Sequence, residues 1–293
     1  MPLKEVDWDN YEFRCHYLGK LMTKTRGKSN LEKYKEAKYA YESFIEKLFD
    51  SGKNPTPTQS MKMNELEAKM KQLELTKDIV SLSPTCKKTL MEIYTQETTG
   101  RKKNIESFYI DKGLKTEEES ITKYSLFTGA MYRKNKQRVS NGFLTGEIDF
   151  EDEEEDMTID TKSSWDAFTF DATVAVEINS DYDWQGQGYM WLKNRKKHRI
   201  AYCLNNTPKS ILDKLINRLR YNFVGDENDY KEAEAMLLDN HIFDDLPLER
   251  KIRVYDIERD EDKINQIKVM VPHFRNYLKN IKQNKIEDYD TED

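Results

Sequence analysis

The clearest alternation of apolar and polar positions in the chain runs from Phe143 to Lys162. Side chains of a strand point alternately to its two faces. Phe143, Thr145, Glu147 and Asp149 would therefore share a face, opposite Leu144, Ile148 and Phe150. Farther on, Thr158, Asp160 and Lys162 share one, opposite Met157 and Ile159. The acidic run Glu151 to Asp156 reads as the connection of an antiparallel hairpin. Paired positions in such a hairpin have a constant sum. An odd sum, as with Asp149 opposite Thr158 or Asp160, brings Asp149, Asp160 and Lys162 to one face.

Helical spacing dominates elsewhere. Tyr34, Ala37, Tyr41, Phe44, Ile45 and Leu48 recur with the period of a helix between Asn30 and Phe49, and Gly52 to Pro57 interrupts it. A highly charged helix follows from Met61 to about Leu75, and Pro84 opens another. The first hundred residues thus read as wholly helical. Thr116 with Glu119 has the spacing of a capping box, which predicts a helix start there. On that helix Glu117 falls in the middle of a face formed by Ile121, Tyr124, Thr128 and Met131. A carboxylate on an apolar stripe is costly unless paired or bound to metal. At a helix N-terminus it can also escape to solvent while favouring the dipole. Ser180 caps a further helix, Asp181 to Leu192, with Tyr182, Gln185, Tyr189 and Leu192 on one side. Ile200 to Leu204 is a short apolar run typical of a buried strand. Lys251 to Glu258 alternates as an edge strand would, and helices are predicted over Ser210 to Phe223, Asp229 to Leu238 and Val271 to Ile281. The order helix, hairpin, helix, buried strand predicts a mixed α/β core.

Composition adds limits. The chain has 293 residues, 37% hydrophobic and 35% charged, with 12 Phe, 17 Tyr and 4 Trp, enough for a core beneath long exposed helices. Cys15, Cys86 and Cys203 lie far apart, which suits a reducing compartment and neither a disulfide framework nor a cysteine-based cluster. No long apolar window and no signal-peptide core are present, so a soluble cytoplasmic protein without membrane association is expected. The net charge of −6 argues against a generic polyanion binder, but basic clusters at Lys20–Lys38, Arg101–Lys103, Arg133–Arg138 and Lys193–Arg199 mildly favour nucleic acid. The acidic end, 287–293, reads as a disordered tail.

Two carboxylates converging beside an ammonium suit metal-dependent phosphodiester hydrolysis. Mg²⁺ takes hard oxygen ligands and retains waters. It can polarise a phosphate and acidify a water, while the lysine orients that water and stabilises developing charge. A solvated acidic hairpin with a surface lysine would show the same pattern. His16, His198, His241 and His273 lack ligand spacing, so zinc is not expected. Trp165 and Phe168 would serve either as a stacking wedge for a frayed end or as core.

Five segments together, in this order, resemble the PD-(D/E)XK nuclease superfamily, and within it the phage recombination exonucleases of the lambda exonuclease and YqaJ type. They are Phe13-Arg14 with Leu18-Gly19-Lys20-Leu21-Met22-Thr23, then Lys112-Gly113 with Glu117 and Ile121. Thr145-Gly146-Glu147-Ile148-Asp149 and Ile159-Asp160-Thr161-Lys162-Ser163 follow, and last Tyr182 with Gln185-Gly186-Gln187-Gly188-Tyr189-Met190. The resemblance spans roughly residues 13–208.

The resemblance implies a restriction-endonuclease-like core, a mixed sheet flanked by helices, behind a helical N-terminal region. It implies one nuclease domain over 1–286, with a helical region to 100, a catalytic core over 101–210 and C-terminal helices with an edge strand to 286. It makes Asp149, Asp160, Glu117 and the carbonyl of Thr161 ligands of Mg²⁺ (or Mn²⁺), and Lys162 the catalytic lysine. Gln185 would support that lysine or contact the DNA backbone. Arg14 would meet a terminal phosphate, and Tyr182, Tyr189, Lys193, Arg195 and Lys196 would line the DNA, with core packing an equal alternative for the tyrosines and a solvated loop for the basic residues. The family often has a small hydroxyl residue just after its arginine, where His16 and Tyr17 stand here. The activity implied is exonucleolytic cleavage at linear duplex ends, 5′-to-3′, in phage-type recombination. A homo-oligomeric, trimeric ring, an annealing-protein partner and the bacterial host cytoplasm are implied with it. An endonuclease or RecB-like single-strand nuclease on the same core, or a catalytically idle end-binding module, are the alternatives.

Overall fold

The computed structural model describes residues 3–50, 52, 54–103, 107–175 and 178–282; the acidic tail 287–293 lies outside the described residues. The helices are α1 (Leu18–Leu21), α2 (Asn30–Asp50), α3 (Pro57–Glu74), α4 (Pro84–Thr99), α5 (Phe108–Thr128), α6 (Ala167–Ala175), α7 (Ser180–Lys193), α8 (Lys209–Asn222), α9 (Glu227–Asp239) and α10 (Glu261–Lys282). The strands are β1 (Phe13–Arg14), β2 (Val139–Ser140), β3 (Leu144–Gly146), β4 (Phe150–Asp152), β5 (Met157–Ser163), β6 (Lys197–Cys203) and β7 (Ile252–Glu258). Two compact units form: Lys20–Glu92, and a larger one built from the chain on either side of it in sequence. No helix among the described residues is long and apolar enough to cross a membrane.

In the smaller unit α2 and α3 pack together. The Tyr34 hydroxyl donates to Glu74 Oε1 at 3.3 Å, and the Lys77 ammonium lies 4.9 Å from the Tyr34 ring centre. Thr56 closes a reciprocal capping box with Gln59, and Pro57, whose missing N–H costs nothing at this position, begins α3. Only Ala37 of α2 is buried, and no residue of α3.

The larger unit is organised on a four-stranded sheet in the order β4-β5-β6-β7, with β5 and β6 parallel and both outer pairs antiparallel. Odd-numbered residues of β5 face α5: Met157 and Ile159 join Ile121, Tyr124, Phe150, Ala201 and Cys203 in one core cluster. On the other face α7 places Met190 against Ile200 and Ile257. Covering Ile159 or Ile200 completely is worth about 2 kcal/mol each, and the two clusters clamp the central strands from both sides. Glycine permits the close approach of α7. A β-carbon at Gly186 would meet the His198 ring at 2.5 Å, and one at Gly188 would meet Leu18 and Cys15 at 2.7 and 2.9 Å.

Five expectations are corrected. The first hundred residues are not wholly helical, because Phe13–Arg14 pairs in parallel with Leu144–Thr145 in a second sheet, ordered β1-β3-β2. The run from Phe143 to Phe150 is not one strand. Between β3 and β4 the backbone is held by side chains and a neighbouring segment instead of a ladder: Tyr189 donates its hydroxyl to the Glu147 carbonyl (3.2 Å), and Asn135 donates to the carbonyls of Ile148 (3.0 Å) and Asp149 (2.6 Å). Glu151 and Asp152 belong to β4 and not to the turn, which closes at Asp156 with a left-handed φ of 52°. Finally, Thr116 does not start a helix. It lies inside α5, and its hydroxyl donates to the Lys112 carbonyl (2.8 Å) and shares a hydrogen bond with Ser163 Oγ (2.9 Å). Met131 falls beyond the left-handed Gly129 cap and is exposed.

Candidate active site

The parity read from the hairpin is observed. Phe150 pairs with Ile159, so the next position outward sets Asp149 level with Asp160. Asp149 stands one residue before β4, at the end of the irregular link. One of its oxygens, Oδ2, accepts both the backbone N–H of Thr161 at 2.7 Å and the Thr161 hydroxyl at 2.9 Å. The N–H and C=O of a strand residue point to the same edge, so the Thr161 carbonyl faces the Asp149 side, where β4 has not yet begun. Asp160 is 5% exposed and forms an ion pair with the Lys162 ammonium through Oδ2. That ammonium lies 5.1 Å from the centre of the Tyr182 ring, at the start of α7.

Electrostatics follow from this crowding. Burial and then the neighbouring Asp160 charge push the Asp149 carboxyl up to about 7, against the lowering effect of Lys162 and the Thr161 donors. Burial works against the charge on Lys162, yet attraction to and hydrogen bonding with Asp160 outweigh it and hold its pKa above the ordinary lysine value. Lys162 is therefore an ammonium at neutral pH. Asp149 and Asp160, level with one another, and the Thr161 carbonyl on the same edge form a hard-oxygen donor set that a divalent cation would satisfy. Among the described residues no three His, Cys, Asp or Glu side chains are gathered to hold a metal ion.

Glu117 sits on α5, and its Oε2 is 2.6 Å from the Lys134 ammonium. It is mid-helix, so escape at a helix end does not explain it. Lys134 lies in the basic turn before the hairpin; sequence reasoning missed it because nothing local marks a lysine there as different from its neighbours. Gln185 is buried and directs its amide Nε2 to the Tyr189 hydroxyl at 2.8 Å, and that hydroxyl holds the Glu147 carbonyl. Its hydrogen bond thus runs toward the link that carries Asp149. Tyr189 is 5% exposed and its hydroxyl is engaged, which accords with the core-packing alternative for this residue.

The basic loop is largely neutralised. Lys193 and Arg195 meet Glu151 at 2.6 and 3.0 Å, and Lys196, 81% exposed, pairs with Asp156 at 3.3 Å. This loop leads into β6 beside Met157, three residues along β5 from Asp160. Arg14 is exposed on β1, level with Thr145. Trp165 lies against Tyr109 and His241, while Phe168 is exposed. Behind the site, His198 is buried, shares a 2.9 Å hydrogen bond with Thr158, and burial pushes its pKa down to about 4.

A mixed sheet with an acid pair and a lysine at one edge, between α5 and α7, defines a mixed α/β fold. No family model matches the sequence, and no curated protein matches it. Among solved structures, the chain is similar to a phage-related exonuclease from Haemophilus somnus 129PT, with 22% identity, a TM-score of 0.61 and coverage of 94% of this chain and 96% of that one. It is also similar to the alkaline exonuclease LHK-Exo from Laribacter hongkongensis, at 15% identity and a TM-score of 0.48 over 70% of this chain and 86% of that one. A second structure of LHK-Exo, in complex with dAMP, gives 17% identity and 0.44 over 70% and 88%. The first of these similarities shows that the chain has the fold of the phage-related exonuclease over nearly its whole length.

Proposed function

We propose that this chain is a divalent-metal-dependent deoxyribonuclease that acts as an exonuclease on the ends of linear duplex DNA. The observation that carries the reading is the meeting of Asp149 and Asp160 at one sheet edge, with Lys162 paired to Asp160. Asp149, Asp160 and the Thr161 carbonyl would hold Mg²⁺ or Mn²⁺, with Glu117 as a further acid. The ion would supply Lewis acidity toward a phosphate oxygen and lower the pKa of a water.

The side chains do the rest. Lys162, held as an ammonium, is no general base; it orients the attacking water and offsets negative charge building on the phosphate oxygens. Thr161 fixes the Asp149 carboxylate by two donors, and Gln185 acts through Tyr189 on the backbone before it. Arg14 offers a planar donor for a terminal phosphate. Polarity from 5′ to 3′, a role in phage-type recombination, a trimeric ring, an annealing-protein partner and a place in the host cytoplasm belong to the same proposal through the resemblance of the motifs.

The test is digestion of end-labelled linear duplex with Mg²⁺, set beside closed circular DNA. Linear DNA is degraded and circles are spared; Lys162→Ala and Asp160→Asn abolish the reaction. Undiminished cleavage by either variant overturns the site, and cleavage of closed circles overturns exonucleolytic action.

A further inference from the structure

Lys162 is on Asp160, Lys134 is on Glu117, and Asp149 is held by the neutral donors of Thr161. The Lys134–Glu117 pair is more than a passing surface contact. The two side chains are 31% and 24% exposed, and the oxygen–nitrogen distance is 2.6 Å. The next residue, Asn135, donates its backbone N–H to the Asp149 carbonyl at 2.6 Å and its amide to the Ile148 carbonyl at 3.0 Å. The backbone that carries Lys134 is therefore tied to the backbone that carries Asp149. The hydrogen bond to Glu117 holds the Lys134 pKa above the ordinary value despite desolvation, and the charge of Asp149 adds to this. Nearby, Arg138 makes a looser pair with Glu147 at 3.1 Å, with side chains 46% and 43% exposed.

We propose that Lys134 is a positioning residue that holds Glu117 in reserve, occupying its carboxylate until a divalent cation at the Asp149–Asp160 pair competes for it. The inference rests on the metal-site reading above. A cation that recruits Glu117 has to break a short, three-quarters-covered ion pair, so Lys134 sets the metal affinity of the free protein. Removing the ammonium frees the carboxylate and tightens metal binding. An arginine at the same place keeps the pair. Neutralising Arg138 removes the same charge from the same turn but leaves Glu117 engaged.

Mn²⁺ binding to the full chain without DNA, followed by calorimetry, tests this, with circular dichroism showing that each variant is folded. Lys134→Met binds Mn²⁺ about tenfold more tightly than the unaltered protein, a difference of ~1.4 kcal/mol. Lys134→Arg and Arg138→Met stay within about twofold of it, the size of an exposed-charge effect. In a Glu117→Gln background, Lys134→Met brings no further gain. Unchanged affinity in Lys134→Met, or equal tightening by Arg138→Met, overturns the inference while the metal site stands. If the unaltered protein binds no Mn²⁺, or Asp160→Asn binds it as well, the metal-site reading falls, and this inference with it.

Discussion

Thr161 gives both its backbone N–H and its hydroxyl to a single oxygen of Asp149, at 2.7 and 2.9 Å. One residue of β5 thus fixes the orientation of the carboxylate across the strand gap. Thr161→Val keeps the branched shape and the backbone donor but deletes the hydroxyl. A hydrogen bond to a charged group is worth about 1.5–3 kcal/mol when both partners are covered. Asp149 is half-buried, and the lower end of that range is expected in urea unfolding. The apparent Mg²⁺ requirement for cleavage, read by titrating the metal at fixed pH, rises several-fold. An unchanged requirement would mean that Asp149 is held well enough by the backbone alone.

Tyr189→Phe and Gln185→Met interrupt the same line of contacts, from the Gln185 amide through the Tyr189 hydroxyl to the Glu147 carbonyl. Each is expected to destabilise the protein by about 1 kcal/mol and to lower kcat, with little effect on KM. The double variant should be no worse than the more damaging single one, since groups acting as a unit are not additive. Additive losses in a double-mutant cycle would show that Gln185 acts independently of Tyr189.

His198 makes stability depend on pH. Its folded pKa, pushed down to about 4 by burial, lies below the unfolded value of 6.5. Between these values the unfolded chain binds a proton that the folded one refuses, so stability is complete above pH 6.5 and is lost as the pH falls toward 4. The loss is on the order of 3 kcal/mol, from a shift of about two and a half units. Urea midpoints at pH 7 and pH 4.5 measure it, and His198→Asn removes that part of the difference.

How far the site could be read from the sequence depends on how local its causes are. The alternation in Met157 to Lys162 is a property of one strand, and it brings Asp160 and Lys162 to one face directly. The odd register between the hairpin strands is also local, and Phe150 opposite Ile159 satisfies it. The break after Gly146 is not local. It depends on Asn135 and Tyr189, residues on the basic turn and on α7, which supply donors where a ladder would have run. Thr116 misled for a related reason: Thr followed three residues later by Glu fits a helix start, but here the threonine hydroxyl bonds within α5 and to Ser163 on β5. The pairing of Glu117 with Lys134, and of the hairpin acid Glu151 with Lys193 and Arg195, joins residues 17 to 44 positions apart by side chains alone. No periodicity reports such pairs. Phe13–Arg14 is simply too short a strand for alternation to register.

That two-residue strand also sets an order of events. During synthesis β1 emerges first, yet its partner, Leu144–Thr145, follows some 130 residues later. Arg275, which donates to the carbonyls of Tyr11 and Gly142 at 2.9 and 2.5 Å, comes later still. At about 5–20 residues per second, the N-terminal segment waits many seconds for its last contacts. Arg14, the first of the proposed site residues to leave the ribosome, is thus fixed in place only after Thr145 has followed it, and the substrate-end contact proposed for it has to await that partner.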